Sequence, residues 1–287
     1  MRFAPFAYSL LLASCVLTGA CDKNGRHTRS PEDPVAFGTQ PSQVGDREKG
    51  EYTVALDLSY KLRDVGDQLL HTNLGLSAEF DTEVTAIADG LPSIANVSYR
   101  RSREYRVDAS GVDDTETWVA GRSYTVEWAG GTSAYGTAEG KSPRREEIAA
   151  LDRDFARFGS SGSLQAQLRG KTLDVGDTLS VTPGEVMDRF PRSTAEMMQL
   201  RLVGFERGCG DRQTAVFDAT VAVTTEFWEG VAISSLSGKA EIDVATARPI
   251  HIELSGPAKV MRDYGRAPNG EGKATFEATF ARAATCR

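Results

Sequence analysis

Concentrated positive charge is missing from this sequence. Its 33 lysines and arginines are outnumbered by 40 aspartates and glutamates, giving a net charge of −7 and a pI near 5.2. The densest basic group, Arg100, Arg101, Arg103 and Arg106, is interrupted by Glu104 and falls where a strand is expected, so it reads as a solvated strand face. Nucleic-acid binding needs an uncompensated basic stripe with stacking aromatics, and neither is there. Histidine is scarce as well: His27, His71 and His251 are the three in the chain, none with a second histidine at metal-ligand spacing. No strained Gly-x-Ser-x-Gly elbow occurs. Without a convergent nucleophile, base and acid, the sequence points away from an enzyme, and no cofactor is expected.

Long apolar runs are lacking save one. From Phe3 to Leu17, behind Arg2, the chain is almost wholly apolar, about the length of a secretory h-region and too short to span a bilayer comfortably. The run ends in Leu17, Thr18, Gly19, Ala20 and Cys21. This segment resembles the lipobox of bacterial lipoproteins, in which small residues precede a cysteine that is diacylated and becomes the new N-terminus. The resemblance implies a signal peptide over residues 1–20, a lipid anchor on Cys21 and a place in the bacterial cell envelope, with the domain in the periplasm or at the cell surface. Leu12, Ala13, Ser14 and Cys15 form a closer match to the lipobox core but leave a shorter h-region, so Cys21 is preferred and Cys15 is the alternative. Asp22 resembles the inner-membrane retention signal of enteric bacteria, which other bacteria do not all read, so the leaflet stays open. Of four cysteines, Cys209 and Cys286 are then left in the folded part. In an oxidising compartment such a pair is expected to bond, contributing on the order of 4 kcal/mol in the chain-entropy model.

Residues 22–50 are polar, rich in Pro, Gly and Ser, and without hydrophobic period, which predicts a flexible tether that contains a solvated His27. From Glu51 the pattern turns to period two. Tyr52, Val54, Leu56, Leu58, Tyr60 and Leu62 alternate with polar residues, and Leu74, Leu76, Ala78, Phe80 and Val84 share a parity. Ile94 to Val107 and Thr115 to Trp128 continue the strands, with turns expected at Asp64 to Asp67, Gly111 to Asp114 and Gly130 to Gly131. At Ser142, Pro143, Glu146 and Glu147 a helix start is predicted, followed by Ile148, Leu151, Phe155 and Phe158 at helical spacing. A second helix is predicted between Pro183 and Leu200, broken at Pro191, with Ser193 and Glu196 as a capping box and Met187, Met198 and Leu200 facing inward. Strands then return at Phe217 to Val223, Ala240 to Val244, Ile250 to Leu254 and Phe276 to Phe280.

Four local patterns suggest chemistry and are better read as structure. Asp-Val-Gly-Asp occurs twice, at 64–67 and 174–177, without the further acids of a calcium loop, so each copy is expected to be a turn feeding a strand. Gly136 to Ser142 superficially looks like a phosphate loop, but Tyr135 stands where glycine is needed. His251 is predicted on a wet strand face opposite Asp243, as an ordinary cross-strand polar pair; His71 lies beside a turn. Trp118, Tyr124 and Trp128 share a parity; with Phe155 and Phe158 they are the candidate lining of a cavity, against a reading of all five as core.

Strands, then helices, then strands, without βαβ alternation, predict a mainly β (α+β) fold: one domain over 51–287 with helical segments at about 142–200. The expected sheet is antiparallel and strongly curved, a half-barrel with the helices on its concave side. In this order of elements it resembles the half-barrel envelope lipoproteins that carry lipids or other lipoproteins. That resemblance implies a non-enzymatic, membrane-anchored protein that binds a hydrophobic ligand or an envelope protein; the alternative is a structural lipoprotein with a solid core. Metal and nucleic acid are not expected as partners.

Overall fold

The structure, a computed structural model, describes residues 34–61, 69–108, 111–190, 192–207, 212–227, 230–261 and 270–282. The predicted signal segment, Cys15, Cys21, the Asp64–Asp67 turn and both Cys209 and Cys286 lie outside the described residues. Strands β1 (Val35–Ala36), β2 (Arg47–Lys61), β3 (Leu69–Ala88), β4 (Leu91–Asp108), β5 (Gly111–Glu116), β6 (Ser123–Ala129) and β7 (Thr132–Thr137) come first. Helices α1 (Arg145–Phe155) and α2 (Leu164–Leu168) follow, then β8 (Thr172–Leu173), β9 (Thr178–Val181), the single turn α3 (Gly184–Met187) and β10 (Ser193–Ala195). The chain closes with β11 (Met198–Arg207), β12 (Gln213–Phe227), β13 (Gly230–Asp243), β14 (Pro249–Met261) and β15 (Gly270–Arg282).

One large antiparallel sheet carries the molecule, in the order β7-β6-β4-β3-β2-β15-β14-β13-β12-β11-β9, with β5 paired to β4 and β10 to β12. The sheet is open, and its outer strands β7 and β9 are short, which limits the unpaired backbone they offer to other chains. Its middle joins the two ends of the described chain: β15 pairs with β2 from Gly270↔Tyr60 to Arg282↔Glu48. Alternation makes these strands. On β2, Tyr52, Val54, Leu56, Leu58 and Tyr60 are all buried; on β15, Ala274, Phe276, Ala278 and Phe280 continue the same dry face. Gly130 and Gly131, both at positive φ, form the predicted tight turn between β6 and β7, a geometry that glycine adopts without strain.

The sheet bends hard. β2 and β12 are separated by three strands, about 19 Å across a flat sheet at 4.8 Å per step, yet the rings of Tyr60 and Phe227 lie 5.6 Å apart. Helix α1 lays Phe155 on the dry face, edge-on to Phe80 at 5.3 Å and to Tyr99 at 6.4 Å. It starts at Arg145, where the Arg144 backbone N–H donates to Glu147 (2.6 Å), a buried carboxylate also paired with Arg122.

Three expectations need correction. Residues 34–50 are not tether: Phe37 is buried against Phe217 (5.9 Å), and the N–H groups of Phe37, Gly38 and Gln40 donate to the carbonyls of Lys171, Val244 and Ala245. A single aromatic that finds a slot, with its backbone groups satisfied, orders a segment of polar composition, and β2 itself begins at Arg47. The second predicted helix forms only as the single turn α3, and from Ser193 the strands β10 and β11 take its place. Met198, Leu200 and Leu202 are buried and alternate with exposed Gln199 and Arg201 because β12 offers its edge to β10 and β11. Gly111–Asp114 is likewise strand, paired with Val107 and its neighbours on β4.

Candidate functional site

Along the dry face, different elements build a smaller and a larger hollow among the described residues. The smaller, about 140 Å³, sits where α1 and the start of α2 meet β3, β14 and β15. Phe80, Phe155, Phe158 and Phe280 supply its apolar wall, and Arg153, Asp154, Arg157 and Arg189 its charged one. Asp154 has a fully buried side chain that accepts from the Tyr52 and Tyr99 hydroxyls, each at 2.7 Å, and from Arg153 Nε at 3.2 Å. Burial, and then the Asp154 charge, holds both phenols well above the ordinary tyrosine range, so they stay neutral donors. Arg189 lies over the rings of Tyr52 (4.8 Å) and Phe280 (5.3 Å). Arg157 pairs with Asp188 at 2.9 Å, and burial raises the Asp188 carboxyl above its usual range, partly offset by Arg157. The charges here largely answer one another, so this chamber reads as a polar plug that fixes the helices to the sheet.

The larger hollow, about 380 Å³, lies beyond the helices, between β2, β3 and β4 on one side and Phe190, Arg192 and the end of β12 on the other. Its floor is apolar: Val54 and Leu56 of β2, Leu74 and Leu76 of β3, then Phe190 and Phe227. Its rim is charged, with Glu104 and Arg106 from β4 facing Arg192 and Glu226. Neither α1 nor α2 reaches it. Its volume falls within the range of small-molecule pockets, roughly 300–1,000 Å³.

A bulge explains the charges on β4. Glu79 pairs with Arg101 but Phe80 pairs with Tyr99, so Arg100 is an extra residue and the parity of the strand flips. Before the bulge Val97 and Tyr99 are on the buried face; after it Ser102, Glu104 and Arg106 share that face, Ser102 buried, Glu104 beside Leu76 and Arg106 beside Leu74 but both exposed at the edge of the hollow. Arg106 therefore leaves the solvated face assigned to the basic cluster, whereas Arg100 and Arg103 stay on it, paired with Asp81 and Asp114. Arg192, just before β10, holds φ 50, a left-handed backbone that a non-glycine residue adopts at a cost of about 1 kcal/mol.

Of the five residues expected to line a cavity, Phe155 and Phe158 flank the smaller hollow. Trp118 is 55% exposed in the turn after β5, with the Arg144 guanidinium over its ring, while Tyr124 is buried core and Trp128 half-buried. These three are not brought to either hollow, because the β5–β6 turn separates Trp118 from the strand parity it was assigned. His251 stands opposite Glu241, not Asp243: an irregularity pairs Ile242 with Pro249, and Asp243 instead accepts from the Thr246 backbone N–H and hydroxyl. The His251 ring meets Thr279 Oγ1 at 3.1 Å, and His71 sits 3.4 Å from Asp57. The second Asp-Val-Gly-Asp is a turn into β9, with the Asp174 N–H donating to Asp177. In the stretch that superficially resembles a phosphate loop, the Thr137, Gly140 and Lys141 N–H groups are bonded within their own turn. Among the described residues no cluster of three or more His, Cys, Asp or Glu is placed to hold a metal, and no helix is long and apolar enough to cross a membrane.

No family model matches the chain, and no curated protein matches it. Among solved structures it is similar to lipovitellin, in a study of lipid–protein interactions, at 8% identity and a TM-score of 0.40, over 83% of this chain and 25% of that one. It is also similar to an outer membrane channel from Pseudomonas putida F1 (11% identity, TM-score 0.23, 85% of this chain and 98% of the other). An acetoacetate decarboxylase-like enzyme from Sphingomonas wittichii RW1 follows at 5% identity and a TM-score of 0.16, over 84% and 94% of the two chains. The chain thus spans a quarter of the lipovitellin chain, and at these scores none of the three bears on what it binds.

Proposed function

We propose that this protein is a non-enzymatic lipoprotein of the bacterial envelope, anchored through Cys21, whose curved sheet holds a hydrophobic ligand. In this reading α1 and α2 sit on the concave side of a half-barrel and fill one part of it, and the rest receives the ligand. The observation that carries it is the 380 Å³ hollow floored by Val54, Leu56, Leu74, Leu76, Phe190 and Phe227. A solid-core structural protein would have closed such a volume, since apolar walls without partner atoms forfeit dispersion energy. Native mass spectrometry of the protein extracted from its own membrane tests both parts at once. A diacyl mass on the chain and a copurified apolar molecule that is lost in Leu74→Trp, a substitution that fills the hollow, are the expected results. A chain without acyl mass sinks the anchor, and a ligand-free protein that fails to take up apolar probes sinks the carrier.

A further inference from the structure

A hollow meant for hydrocarbon alone would not carry ions on its walls, because charge facing an apolar ligand loses its hydration without recompense. Here the register sets Leu76 beside Glu104 and Leu74 beside Arg106 on one face, so leucine floor and charged rim are neighbouring strands of the same wall. Arg106 is neutralised by Asp108. Glu104 from β4 and Arg192 before β10 both line the hollow, both are exposed, and among the described residues neither has an ion-pair partner. One free carboxylate and one free guanidinium thus look onto the mouth of an apolar chamber. The volume admits on the order of a dozen water-sized groups at ~30 Å³ each. That suits one acyl chain of about that many carbons.

We propose that the ligand is a single-chain amphiphile with a zwitterionic head, its anionic group held by Arg192 and its ammonium by Glu104, with the chain on the Leu74–Leu76 floor. This rests on the reading of the hollow as a ligand site. Arg–oxyanion contact is charge-assisted and forked, so the anionic group decides how the head is oriented. The left-handed backbone at Arg192 makes the test clean: glycine fits that conformation, so Arg192→Gly removes the guanidinium while keeping the turn.

Native mass spectrometry of the full-length chain would be titrated with dodecylphosphoethanolamine, dodecanoate, dodecanol and dodecyltrimethylammonium below their micelle thresholds. The zwitterion is expected to occupy one site at least tenfold more tightly than the other three. Arg192→Gly should bring it to the level of dodecanol and leave dodecanol unchanged. Glu104→Gln should weaken the zwitterion and strengthen dodecanoate, a change of charge preference that general destabilisation cannot produce. If all four bind alike, or the two variants leave the preference intact, the head-group assignment is overturned while the hollow stands as an apolar site. If none binds, the ligand reading beneath it falls as well.

Discussion

Replacing Asp154 by asparagine tests the polar plug that fastens α1 to the sheet. The side chain is wholly buried and accepts three donors: two phenols at 2.7 Å and Arg153 Nε at 3.2 Å. Asparagine keeps the shape and one carbonyl oxygen but removes the charge. Each phenol bond then drops from the charged to the neutral class, a loss of about 1 kcal/mol apiece. Arg153, largely buried, is left without its counter-ion, and stranding one partner of a buried pair costs about 3 kcal/mol at the lower end of measured cases. Allowing for relaxation, the total expected is about 4 kcal/mol, a large part of a stability of about 5–15 kcal/mol for a folded domain. Equilibrium urea denaturation should show the midpoint falling with an unchanged m-value. Adding Arg153→Met removes the stranded charge and should return about half of the loss. A cost below about 1 kcal/mol, or a double variant no more stable than the single one, would refute the argument that this carboxylate is a structural keystone.

Three further outcomes follow from the same packing. The folded-state pKa of Tyr52 and Tyr99 lies well above that of the unfolded chain, which is near 10. Their contribution is therefore complete below about pH 10 and lost as pH climbs past it, at about 1.4 kcal/mol per pH unit per tyrosine. Urea midpoints followed through the alkaline range should fall accordingly, and Tyr52→Phe should shallow the slope; a midpoint flat to pH 11 contradicts this. Phe155→Ala removes a buried ring touching Phe80, Tyr99 and Phe158 and should cost about 3–4 kcal/mol by thermal or chemical denaturation, whereas half-buried Phe158→Ala should cost visibly less. Gly50→Ala puts a methyl group 2.3 Å from the Phe80 ring, which lies across that glycine. The ring must swing away from Tyr99 and Phe155, and a loss of about 1–3 kcal/mol is expected; wild-type stability would mean that Phe80 moves freely.

Elements that bury one face by local alternation announced themselves in the chain. Tyr52 to Tyr60 and Phe276 to Phe280 are strands in any context that covers one side, and α1 was legible from Leu151 and Phe155 behind a proper helix start. The mainly antiparallel sheet followed from strands, helices and strands in that order. Where local preference is balanced, partners across the fold chose. Met198 and Leu200 suit a helix as well as a strand, and the free edge of β12 made them strand; Phe37, a lone aromatic in a polar stretch, was ordered by Phe217, far off in sequence.

The larger hollow belongs wholly to that second category. Its walls come from β2, β3, β4 and β12 and from Phe190 and Arg192 between α3 and β10, which no sequence window spans. Its charged rim exists because Arg100 is one residue too many for the ladder and moves Glu104 and Arg106 onto the face of Leu76 and Leu74, where they stay exposed at the edge of the hollow; the parity of Val97 and Tyr99 would have put them on the opposite face. Hydrophobic period is a property of neighbours along the chain, and so the sequence by itself determined strands, helix and the sign of the sheet. Register, bend and the volume left unfilled depend on which strands meet, and only the tertiary structure decided those.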